Sequence, residues 1–254
     1  MTAHPTGRRT RRAALVSAVC AVAVMGTGLT GCSSDEDPDA GTNGVGKLPA
    51  TQIQAKSLKA AQSSDAVHLS GNVVTGGVTY TLDMRLKSDG GTGSVTSKSG
   101  TFRLLRVGEH LFLKADAAFW DHEDGKSDDA TTDKGAAGKL DGMYVKVPED
   151  DPAYKRFSGF TDKNVLLDGL LTLHGTLATD GHHEQSGVST IRITGDKGSG
   201  GALDVSLKGT PYPLLLVRAG GAGTLRLTDW GKDFSLEEPA KNETVDYGQQ
   251  LPSS

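Results

Sequence analysis

Cysteine is nearly missing from this chain of 254 residues, which has two, Cys20 and Cys32. So few exclude a disulfide framework, and no CxxC metal or redox motif is present. Aromatic residues are scarce at 5%, and hydrophobic residues of all kinds make up only 36%. That supply suits a sheet with one wet face better than a thick, multilayered core. Positive charge is in deficit, with 27 basic against 31 acidic residues. Four of the basic residues, Arg8, Arg9, Arg11 and Arg12, stand at the start, so removing them takes the formal charge from −4 to −8. Such a balance argues against nucleic acid as a partner, because phosphate binding needs a basic face. Beyond one apolar run near the start, no stretch approaches the roughly 18 to 20 residues that cross a bilayer. Catalytic signatures are missing too: there is no G-x-S-x-G elbow, S-x-x-K, HExxH or G-x-G-x-x-G.

What is present begins with order at the N-terminus. Arg8 to Arg12 form a charged region, Ala13 to Met25 an apolar one, and small residues lead to Leu29-Thr30-Gly31-Cys32. Together these resemble a bacterial lipoprotein export signal with its lipobox. The resemblance implies that residues 1–31 are removed, with Leu29, Thr30 and Gly31 read by the processing machinery. The thiol of Cys32 would take a diacylglycerol and become the first residue of the mature protein. Two or three acyl chains anchor stably, at about 0.8 kcal/mol per buried methylene. Thr10-Arg11-Arg12-Ala13-Ala14-Leu15 also resembles a twin-arginine signal, though the arginines serve a general export signal equally well. Residues 32–49 are acidic and then glycine-rich, which predicts a flexible tether holding a domain roughly 20 to 25 Å from the lipid.

From residue 50 the pattern changes twice. Thr51 and Gln54 have capping-box spacing, and Ile53, Leu58, Ala60 and Ala61 make an apolar side, so Thr51 to Ser64 is expected to be a helix. The period then becomes two. Val67, Leu69 and Val73, and after Gly76-Gly77 the set Val78, Tyr80, Leu82, Met84 and Leu86, alternate with polar residues as in a hairpin. Further strands are expected at Ser94–Ser97, Phe102–Val107, Leu111–Ala115 and Met143–Val147, with a polar loop over residues 121–139. Helices are expected at Pro152–Phe160 and after a capping Thr161, where Leu166, Leu170 and Leu173 recur. Strands resume at Gly187–Thr194, Ala202–Lys208, Leu214–Ala219, Gly223–Thr228 and Phe234–Leu236. The fold class is therefore α+β: a large curled antiparallel sheet, a half β-barrel of about ten strands, packed on a few helices. Residues 50–240 form that domain, and 241–254 a loose polar tail.

Several stretches carry a further resemblance: Ala66-Val67-His68-Leu69-Ser70-Gly71, Arg106-Val107-Gly108-Glu109 with Phe112-Leu113-Lys114, Asp141 to Pro148, and Leu227-Thr228-Asp229-Trp230-Gly231 with Pro239. With the lipobox they make the chain similar to the LppX/LprG family of actinobacterial envelope lipoproteins, whose fold is similar to that of the carrier LolA. The resemblance implies a half-barrel closed by helices around an apolar cavity, and a ligand that is an acylated lipid. The acidic stretch at 121–139 and Gly209-Thr210-Pro211-Tyr212-Pro213 depart from the family.

Chemical alternatives are thin. Gly125-Lys126-Ser127 stands among acids where a phosphate cradle needs amides. His182, His183 and Glu184 have metal-binding side chains, but neighbours on a strand face opposite ways, so a solvated loop is the reading. Asp121, Glu123, Asp124, Asp128, Asp129 and Asp133 lack EF-hand spacing. No metal or cofactor is expected, and Trp230 is expected to wedge the last strands against the helices. The remaining candidate is an apolar wall of Leu82, Met84, Leu203, Val205 and Leu207 facing Leu166, Leu170 and Leu173, either lining a cavity or filling a core. The expected function is that of a monomeric, non-catalytic lipoprotein, attached through Cys32 to the outer face of the cell membrane, that binds or carries a lipid or other amphiphile. The alternative is an envelope scaffold with a filled core that binds a protein partner.

Overall fold

The computed structural model describes residues 39–123 and 138–246. The export signal, Cys32 and most of the acidic stretch lie outside the described residues. Twelve strands form one sheet: β1 (Ala66–Thr75), β2 (Val78–Lys87), β3 (Gly90–Ser97), β4 (Gly100–Val107), β5 (His110–Ala115), β6 (Tyr144–Val147), β7 (Leu177–Gln185), β8 (Val188–Gly195), β9 (Ala202–Ser206), β10 (Pro213–Val217), β11 (Gly223–Thr228) and β12 (Thr244–Asp246). Their order is β12-β6-β5-β4-β3-β2-β1-β11-β10-β9-β8-β7. All pairs are antiparallel except β12 with β6, so the sheet is mixed and open rather than purely antiparallel. Among the described residues, helices α1 (Ala50–Ser63), α2 (Ala117–Glu123), α3 (Pro152–Thr161) and α4 (Lys163–Leu171) accompany it.

Local chemistry explains the elements. The β1–β2 hairpin turns on Gly76 and Gly77, both with positive φ (57° and 75°), as a two-residue turn matched to sheet twist requires. Alternation then puts Leu69 opposite Met84 on one side and Leu227 on the other, on the inner face. Asp151 accepts from the Ala153 amide at 2.7 Å to start α3, with Pro152 in the first turn.

Several expectations are corrected. Thr51 and Gln54 form no capping box: Pro49 stands at the cap, and the Gln54 side-chain oxygen accepts from the Leu173 amide at 3.0 Å. Asp162, not Thr161, caps α4, accepting from the amides of Asn164 and Val165 at 3.0 Å each. His182 and His183 lie on β7, an exposed edge strand with a bulge after Thr179, rather than on a loop. The loose tail contributes β12, and Phe234–Leu236 is not a strand. Part of the stretch read as tether is docked: Asn43 donates through its amide nitrogen to the carbonyls of Ser206 (2.9 Å) and Gly209 (3.0 Å), and Val45 is buried.

Candidate functional site

The inner face of the sheet brings the five wall residues together. Leu82, Met84, Leu203, Val205 and Leu207 are each no more than 2% exposed and belong to one apolar cluster. Register continues this wall across the strands: Ile191 pairs with Val205, Ile193 with Leu203, and Leu216 with both Leu203 and Leu225. In the middle the wall is hollowed by β3, whose Gly91 and Gly93 lie opposite Leu86 and Met84. A β-carbon at Gly93 would stand 2.6 Å from the Met84 sulfur, and one at Gly91 2.6 Å from Leu86 Cδ2 and 3.2 Å from the Thr161 carbonyl. The glycines let large neighbours, and the junction of α3 with α4, sink into the sheet.

The roof over this wall is α1 with the pair α3–α4. Its phase differs from the expected one. Lys163, Leu167 and Leu171 are the buried residues of α4, with Leu173 beyond its end, whereas Leu166 and Leu170 are half-buried on its flank. Leucine fills both faces, so apolar spacing alone does not decide between them, and a lysine at a buried position points the wrong way.

Three polar latches hold the roof. Lys163 Nζ donates to the Gln62 carbonyl at 2.8 Å and to Asn164 Oδ1 at 3.0 Å, with the Ala61 carbonyl at 3.5 Å, closing the C-terminus of α1. An ammonium suits that place, because the last carbonyls of a helix lack partners and carry its negative end. Burial pushes the Lys163 pKa below its usual value, against the pull of Asp65 and Asp162. The second latch is Arg106, whose Nε donates to Thr161 Oγ1 at 3.1 Å and whose Nη2 donates to the Thr161 carbonyl at 3.0 Å. The third is Gln54 on the end of α4. The sequence announces none of these bonds: Lys163 and Arg106 look like ordinary surface, and Gln54 has the spacing of a capping box that does not form.

One end of the core is aromatic. Phe102 contacts Phe119 and Phe157 with ring centres 5.4 and 5.5 Å apart, and Phe119 contacts Trp120 at 5.3 Å. Among the described residues, Trp120 Nε1, Ser57 Oγ on α1 and Thr190 Oγ1 on β8 are buried without a hydrogen-bond partner.

Other singled-out residues go elsewhere. His182 Nε2 meets Asp39 Oδ1 at 3.1 Å and His183 Nε2 the Asp180 carbonyl at 2.9 Å, so the two imidazoles do not converge. Trp230 donates to the Pro213 carbonyl at 3.0 Å and stacks on Tyr212 with centres 4.8 Å apart. Its stacking partner is thus a neighbouring turn of the sheet, not a helix. A surface groove of about 400 Å³ lies beside α1, lined by Val45, Lys56, Lys59, Ala60, Gly209 and Pro211 among others.

No family model and no curated protein matches this chain. Solved structures do. LprF from Mycobacterium bovis is 15% identical, with a TM-score of 0.51, over 76% of this chain and 99% of LprF. The lipoprotein LppX of Mycobacterium tuberculosis is 17% identical, with a TM-score of 0.41, over 74% of this chain and 99% of LppX. An uncharacterised conserved protein of Thermus thermophilus is 10% identical, with a TM-score of 0.36. At such identities a match reports architecture, and the chain has the LprF fold: a curled sheet roofed by short helices.

Proposed function

We propose that this protein is a cell-envelope lipoprotein, anchored through an acylated Cys32, that takes up the apolar part of a lipid or other amphiphile between sheet and helices without catalysis. The observation that carries the reading is the continuous aliphatic inner face, roofed by helices as short as α4 and held by a few polar latches. In the closed state the wall residues pack on the roof, so entry requires α3 and α4 to lift. Each methylene of a chain drawn in then contributes about 0.8 kcal/mol. The orphaned donors of Trp120 and Ser57 would meet polar atoms of such a guest.

The test is purification of the processed protein from membranes, followed by mass spectrometry of the extracted lipids and titration of the emptied protein with a pyrene-labelled phosphatidylglycerol. About one lipid per chain, and saturable uptake of the probe, are expected. Empty protein that takes up no probe would sink the proposal. The second reading, a filled-core module for a protein partner, is favoured by the complete burial of the wall residues. It expects a single stoichiometric partner in pull-downs and no uptake of the probe.

A further inference from the structure

Three features meet at one end of the sheet. The first is the groove beside α1, where Lys56 and Lys59, exposed and one turn apart, rise over Val45, Ala60, Gly209 and Pro211. Neither lysine has an ion-pair partner among the described residues, whereas Lys87 and Lys232 are paired at 2.7 Å each. The second is the stacked pair Tyr212–Trp230, next in sequence to Pro211 and tied to the end of β11. Aromatic rings with one polar edge settle at the level of lipid headgroups. The third is the entry of the chain. Asn43 is bound to Ser206 and Gly209 on the rim of the same groove, and six residues, Ser33 to Pro38, separate Cys32 from Asp39. Fully extended, that stretch covers at most about 25 Å, and as a flexible chain roughly 12 to 15 Å.

We propose that this end of the domain is the face laid against the bilayer, with Lys56 and Lys59 engaging the phosphate of an anionic lipid headgroup at the mouth of the groove. The inference rests on the reading of Cys32 as the anchor: a domain held by so short a lead has only its entry side within reach of headgroups. The net charge of the whole chain does not decide this, and Asp35, Glu36 and Asp37 of the lead are the acids that the lysines must outweigh. Screening at physiological salt limits each charge to about 8 Å, so the lysines at the contact decide the local interaction and distant carboxylates do not. Asp39, the described acid beside the entry, is engaged with His182. Both lysines line the groove and are exposed, and at a lipid interface a lysine lays its apolar stem on such a surface while its ammonium stays with the headgroups.

The experiment uses residues 33–254, which retain every described residue, made without the lipid. Sedimentation is measured with vesicles of phosphatidylglycerol and phosphatidylcholine in equal parts and with phosphatidylcholine alone. Salt-sensitive binding to the first and none to the second are expected. K56Q/K59Q should weaken binding about tenfold or more, at about a few-fold per lysine removed. K98Q/R103Q, on the β3–β4 hairpin at the other end, should leave it unchanged. Because all four residues are exposed, circular dichroism of each variant should match the parent. Equal binding by K56Q/K59Q, equal binding to the uncharged vesicles, or no binding by the parent would overturn the proposal. Mass analysis of the full chain separates the two readings. Cys32 without a lipid removes the anchor and with it the length argument, whereas acylated Cys32 with indifferent lysines removes the docking face alone.

Discussion

At the scale of single residues, Lys163 ties α4 to the end of α1. A lysine three places before Leu166 reads as solvated surface, yet here its stem is buried and its ammonium closes α1. Replacement by alanine leaves the Gln62 carbonyl without its donor and opens a void, at a cost of about 2 to 3 kcal/mol. K163M keeps the stem and removes the buried charge as well as the bond, so it should cost roughly half as much. Urea unfolding of the two variants checks the order, and equal loss would show that packing of the stem has no part in it. The pH dependence has a definite sign. Burial lowers the folded-state pKa of Lys163, so between that value and the unfolded value of 10.5 the unfolded chain holds more protons. The cost of burying the charge is full below that window and vanishes as pH rises through it. Stability of the parent relative to K163M should therefore improve as pH climbs toward 10.5, and a flat difference would place the ammonium in water.

Elements were legible where one face is dry. In β2, β8, β9 and β11 an inward aliphatic residue alternates with a polar one, so strand, face and wall residues follow from period two, whereas β10 is aliphatic throughout. The same logic has nothing to act on in β7, which is exposed along its length, or in the three residues of β12. It fails differently in α4, where Leu166 and Leu170 match helical spacing as well as Leu167 and Leu171 do. Only the buried Lys163 and the capping Asp162 set the phase, and both depend on tertiary partners. The strands of the wall and the helices over it were therefore readable, and the phase of α4 was not. The glycines of β3 join the two, because they let roof and wall approach. G93V places a β-carbon 2.1 Å from the Asp83 carbonyl oxygen and against Met84, so the strand must shift, at about 3 kcal/mol. S94V, on the outer face of the same strand, should change stability by no more than about 0.5 kcal/mol. If both variants unfold at the same urea concentration, close approach at Gly93 is not what shapes the wall.

For the whole molecule the decisive step is how the sheet ends. After β11 the chain turns at Asp229, in the left-handed region with φ of 53°, and crosses the ends of β2, β3 and β5 toward the far edge. Lys87 pairs with Asp233 at 2.7 Å and covers the Phe234 ring, Leu236 reaches Gly90, and His110 meets Glu238. The crossing ends with β12 laid parallel on β6, which would otherwise be an edge of the sheet. Unpaired edges template association, and an edge next to a largely apolar sheet is the more exposed to it. Local sequence does not announce this, since a parallel partner so far along the chain leaves no hairpin signal. A chain stopped after Pro239 keeps the ion pairs of the crossing but loses β12. It should melt about 3 to 6 °C lower, as loss of about 1 to 2 kcal/mol implies at this size, and should associate with rising concentration. Calorimetry with light scattering reads both effects. If the shortened chain stays monomeric with an unchanged midpoint, β6 needs no cover and the crossing is held by Asp233, Phe234 and Glu238 alone.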